Sequence, residues 1–78
     1  MNNTMLINWD NVLNATKGDE FLSIAEICKK LGYQEEICLG DNYKDISALI
    51  GVLYRQGHIK RIKSPGRIAY LYNARDVA

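Results

Sequence analysis

The sequence predicts an α+β fold: three helices followed by a C-terminal two-stranded antiparallel β-hairpin. Three observations carry this. Short apolar stripes recur at helical spacing across residues 9–31 and 46–53. A glycine follows each stripe, at Gly18, Gly32 and Gly57. After the last one, a Pro-Gly pair stands between two short arms rich in β-branched and aromatic residues.

The first helix begins at Asn8, a suitable cap, with Asp10 in its first turn, where the helix dipole favours an acid. Trp9, Val12 and Leu13 share its apolar face, and Gly18 is expected to end it as a left-handed residue. Before it, residues 1–7 form a frayed start from which Met5, Leu6 and Ile7 reach the core. Phe21 and Leu22 make a short extended link. Ser23-Ile24-Ala25-Glu26 is a capping box, in which the serine hydroxyl accepts a first-turn amide and the glutamate reaches back to the cap. Ile24, Ile27, Cys28 and Leu31 then trace one stripe of a second helix, and Gly32 stops it.

Residues 33–42 are expected to form an irregular join, with Ile37 and Leu39 turned inward and room for a helical turn over 34–38. Asp41 or Asn42 caps the longest helix, about 43–56, whose apolar face is Ile46, Leu49, Ile50 and Leu53. The hairpin strands are predicted over 58–63 and 68–72. Pro65 and Gly66 occupy the central positions of a type II turn between Ser64 and Arg67. Residues 73–78 read as a tail.

At 78 residues the chain is one domain, 1–78, with its core across about 9–72 and short flexible ends. A domain of this size buries only about 60–65% of its unfolded surface, which favours a binding module over an enzyme with a deep pocket. Apolar residues at 47% and charged residues at 24% are those of a globular domain, not of a disordered tail. No apolar run approaches the roughly 20 residues of a membrane span, and Met1-Asn2-Asn3-Thr4 is no signal-peptide start. Cys28 and Cys38 could form one disulfide, but so small a secreted domain usually carries more, so both are read as free thiols of a reducing cytoplasm. Cys28 lies on the apolar stripe and is expected in the core, Cys38 in the more accessible join.

Chemistry-bearing patterns are sparse. The one histidine, His58, sits at a helix-to-strand junction, and Glu35-Glu36 reads as a solvated pair. Cys28, Cys38 and His58 lack the spacing of a zinc site, and the isolated glycines form no phosphate cradle. No catalytic residue, cofactor or metal is expected. Tyr54, Tyr70 and Tyr72 are read as packing around the hairpin.

Charge is informative through its distribution. The net charge is +1, yet residues 1–45 sum to −4 and residues 46–78 to +5, with no acid between Ile46 and Arg75. A polyanion-facing C-terminal half accounts for this asymmetry.

The segment from Asp45 through Ile46-Ser47-Ala48-Leu49-Ile50-Gly51-Val52-Leu53 to Gly57, His58, Ile59, Lys60 and Arg61 resembles the third helix and first wing strand of winged helix-turn-helix domains. Ser23 to Leu31 resembles their second helix, and Arg67-Ile68-Ala69-Tyr70-Leu71-Tyr72 their returning wing strand. The likeness covers roughly residues 9–72 and is one of superfamily. It departs from the tightest helix-turn-helix motifs, whose helices are joined by three or four residues: eleven separate Leu31 from Tyr43.

The resemblance implies sequence-dependent binding of double-stranded DNA, with the third helix in the major groove and the wing on the backbone or minor groove. The DNA-facing residues would be Tyr43, Lys44, Ser47, Ala48, Gly51 and Arg55 on the helix and Lys60, Arg61, Lys63 and Arg67 on the wing. Gly51 reads equally as an open surface for a close partner and as a site of close helix packing. Lysines on the wing also guard an exposed strand edge. The function expected is that of a small cytoplasmic regulator of transcription or of a mobile element or phage, acting alone, as a homodimer or beside a larger protein. The rival expectation is a winged helix that docks on a transcription or replication protein without reading DNA.

Overall fold

The structure is a computed structural model that describes residues 4–33, 40–63, 65–66 and 70–74. Among the described residues are three helices, α1 (Trp9–Ala15), α2 (Ile24–Lys30) and α3 (Asp41–Arg55), then two strands, β1 (Ile59–Lys63) and β2 (Tyr70–Ala74). The fold is therefore α+β with an antiparallel hairpin after the helices, a layout consistent with a winged helix.

Local chemistry sets most helix ends. The Asn8 Oδ1 accepts from the Asn11 N–H at 2.8 Å and starts α1. At α2 the capping box is complete: the Glu26 N–H donates to Ser23 Oγ at 3.2 Å and the Ser23 N–H to Glu26 Oε1 at 2.9 Å. Gly32, at φ 91°, ends α2 with the paired bonds of a left-handed cap, its own N–H donating to the Lys29 carbonyl and the Tyr33 N–H to the Cys28 carbonyl. Gly57, at φ 83°, ends α3 in the same way, through Gly57 to Tyr54 and His58 to Leu53.

Two helix ends differ from expectation. Neither Asp41 nor Asn42 caps α3. Gly40 is its extended N-terminal residue, with no side-chain cap bond, and Asp41 lies inside the first turn as a favourable charge on the dipole. Gly18 does not terminate α1. The helix closes at Thr16, whose hydroxyl donates to the Leu13 carbonyl at 2.7 Å, while Gly18 takes φ 147° in the following loop. The cause is tertiary: the Thr16 carbonyl accepts from the Ala74 N–H at 2.9 Å and the Asn73 amide at 3.2 Å, which pins the chain before Gly18 is reached.

The predicted tail supplies the end of a strand. β2 runs to Ala74, and Asn73 is buried. Its Nδ2 donates to the carbonyls of Thr16, Gly18 and Glu20 at 3.2, 3.0 and 2.8 Å, closing the α1–α2 loop onto the sheet. The register Lys63↔Tyr70 lies two residues beyond that of a four-residue turn. Because strand side chains alternate with period 2, that shift keeps Tyr70 and Tyr72 on the same face as Arg61 and Lys63. Gly66 has φ 76°, the positive value a type II turn requires there. Leu22 adds a bridge on the other side of β2, with reciprocal 2.8 Å bonds to Tyr72, so β2 lies between β1 and the Leu22 link.

The core gathers Val12 and Ala15 from α1, Ile27 and Cys28 from α2, Ile46, Ile50 and Leu53 from α3, and Leu22, Ile59 and Tyr72 from the sheet. Full burial of an isoleucine or leucine contributes about 1.5–3 kcal/mol, so these contacts are the main source of stability. Cys28 is in the core, as its stripe requires; Cys38, Ile37 and Leu39 lie outside the described residues. Of Met5, Leu6 and Ile7, only Ile7 packs on the core. Met5 is 43% and Leu6 72% exposed, and this segment is tied down by backbone bonds instead, Met5 N–H to the Leu31 carbonyl and the Tyr33 hydroxyl to the Met5 carbonyl. Among the described residues no helix is long and apolar enough to cross a membrane.

Candidate nucleic-acid interface

Helix α3 buries Ile46, Ile50 and Leu53, which turns Lys44, Ala48 and Arg55 outward along the opposite stripe. Ser47 and Gly51 flank that stripe and are half-buried. Among the described residues Gly51 lies against no other helix: a Cβ built there would meet only Arg55 Nη1 of them, at 3.5 Å, because the Arg55 side chain folds back over it. Of the two readings of this glycine, close helix packing is therefore not the one observed. Tyr43 is half-buried against the core. The exposed surface of α3 is also acidic at its start, where Asp41 and Asp45 face solvent, and basic at its end, where Arg55 does.

The hairpin continues from that basic end. Ile59 is buried against the core, and Arg61 and Lys63 follow on the same face of β1 by alternation. Arg61 faces α3. Its guanidinium carbon lies 4.2 Å from the centroid of the Tyr54 ring, on α3, and 4.0 Å from that of Tyr70, on β2. Lys60 points to the other face, with its ammonium 5.7 Å from the Phe21 ring. Lys63 is exposed beside the Pro65-Gly66 turn, and Arg67 lies outside the described residues. The four wing bases thus do not act from one face: Arg61 and Lys63 share the α3 side, and Lys60 is turned away.

Sequence reasoning grouped the bases but missed what organises them. Tyr54 and Tyr70 are separated by sixteen positions, and nothing local announces that both rings meet Arg61. The register of the hairpin is the one signal that could have brought Tyr70 to Arg61, as its diagonal neighbour. At the hairpin base His58 packs edge-on against Trp9, with ring centroids 5.1 Å apart, an ordinary packing role. Two shallow grooves elsewhere, one lined by Met5, Asn11, Asn14 and Leu31, the other by Lys17, Asp19, Glu20 and Leu22, contain none of the α3 or wing residues.

The surface formed by the α3 stripe and the near face of the wing can offer cations to phosphates, small residues for close approach, and Ser47 and Arg55 as donors to base edges. Comparison with protein-family models, with curated proteins and with solved structures finds no match for this chain.

Proposed function

We propose that the chain binds double-stranded DNA through the exposed stripe of α3 and the near face of the hairpin, as a small cytoplasmic regulator of transcription or of a mobile element. The observation that carries the reading is the exposure of Arg55 at the end of α3 and of Lys63 on the α3 side of β1, on the half of the chain that carries +5. In this arrangement Lys63 contacts phosphate, while Ser47 and Arg55 read bases and Ala48 and Gly51 admit the duplex closely. Asp41 and Asp45 stand at the start of α3, where an acid accepts from a cytosine amino group and repels phosphate.

The same two acids favour a second reading, a winged helix that docks on a protein carrying its own basic surface. Binding of Ser47→Ala and Arg55→Ala to a panel of duplexes separates the two. Base readout predicts a change of preference between sites of about 1–3 kcal/mol at one base position. Unchanged preference between duplexes in both variants overturns base readout by α3 and favours the protein partner.

A further inference from the structure

We propose that Tyr54, Arg61 and Tyr70 form a clamp that sets the direction of the hairpin relative to α3, which makes Arg61 a positioning residue and not a phosphate contact. The consequence for ligand binding rests on the duplex reading above; the clamp itself does not.

The three residues come from three elements. Arg61 is on β1, Tyr54 on the last turn of α3 and Tyr70 at the start of β2, and one guanidinium carbon lies within 4.2 Å of both ring centroids. The base of the hairpin is held otherwise, by Asn73 on the α1–α2 loop and by the Leu22–Tyr72 bridge. Both of those attachments lie on the β2 side and at residues 72–74. Arg61 ties the opposite strand, β1, directly to α3.

Tyr54 is 36% and Tyr70 38% exposed, so each ring is partly buried and partly open to water. A flat cation over their faces adds an attraction to what burial supplies, and a guanidinium can lie along a ring where an ammonium is a compact point charge. Lys63 lies two residues further along the same face, about 7 Å out. A change in strand direction at Arg61 therefore moves Lys63 relative to the α3 stripe, and a ligand that bridges the two would feel it.

The test compares the wild-type chain with Tyr54→Leu, Arg61→Gln and Arg61→Lys. Without DNA, NMR residual dipolar couplings report the orientation of β1–β2 against α3, and the couplings within α1–α2 report that the fold is intact. The clamp predicts altered hairpin couplings in Tyr54→Leu and Arg61→Gln with the helices unchanged. With duplex DNA, the clamp predicts that Tyr54→Leu, which removes no charge, weakens binding by about 2–5-fold, the worth of one exposed ring contact, and that Arg61→Lys does not restore wild-type affinity. Unchanged hairpin couplings in both variants overturn the clamp. Wild-type affinity in both Arg61→Lys and Tyr54→Leu assigns Arg61 to a phosphate and also overturns it. If the wild-type chain binds no duplex, the DNA reading fails and the couplings alone decide the clamp.

Discussion

Ile59 and Tyr72, at the base of the hairpin, are buried, whereas Ile62, three residues along β1 from Ile59, is 46% exposed. At the base, Asn73 spends its amide on three carbonyls of another loop, and Ile59 and Tyr72 complete the core. On β1 every residue after Ile59 is exposed, and there Arg61, the register partner of Tyr72, meets its two tyrosines. One hairpin thus serves two ends. Its base is part of what folds the domain, because buried polar groups must be paired. Its outer half is free to carry charge, because water solvates whatever is not used.

The largest test of this contrast is Asn73→Asp. The substitution keeps the shape but replaces the donor with a carboxylate oxygen that faces three carbonyl acceptors, leaving a buried, uncompensated charge. A loss of about 3–5 kcal/mol in urea unfolding is expected, a large share of the stability of so small a domain. The loss should narrow in acid, where a protonated carboxyl regains a donor: burial raises its folded pKa above the unfolded one, so the destabilisation grows as pH rises past the unfolded carboxyl's pKa and is complete above the folded one. A variant of wild-type stability would remove Asn73 from its structural role.

The glycines sharpen the comparison. Gly57 and Gly66 have φ of 83° and 76°, and a Cβ built at either would meet nothing within 4 Å. Alanine at each therefore carries only the backbone cost, about 1–2 kcal/mol. Gly57 caps α3 directly above the core and should show all of it. Gly66 and its neighbour Pro65 are exposed, where the turn can adopt another type, so its variant should lose less than about 1 kcal/mol. Equal losses would mean that the tip is as tightly specified as the base.

The smallest effect on stability belongs to Lys63→Glu, at an exposed position, within about 0.5 kcal/mol, as for exposed residues generally. Its effect on ligand is the opposite. Each lost phosphate contact should flatten the slope of log affinity against log salt by about 0.9, with duplexes of every sequence affected alike. An unchanged slope would take the wing off the DNA.

What the sequence determined by itself was everything settled within a few residues. Asn8, the Ser23–Glu26 box, Gly32 and Gly57 place helix ends because their hydrogen bonds close over three to five positions, and the 3.6-residue spacing of Ile46, Ile50 and Leu53 chooses the buried face of α3. The same face choice exposes Lys44, Ala48 and Arg55, whereas Tyr43, expected on that surface, is half-buried against the core. Tertiary structure decided the rest. The end of α1 depends on a strand 57 residues away, through the Asn73 amide on Thr16, and overrides the stop that Gly18 offers. Residues 73 and 74 look like a polar tail until the α1–α2 loop presents carbonyls for them to meet. The role of Arg61 follows from two rings that only the packing of the hairpin on α3 brings together. A cap or a stripe is a short-range pattern written in consecutive residues. A partner across the fold becomes visible only once the chain has closed, because nothing in the spacing of the residues records which distant group will be left in need of a donor or a cation.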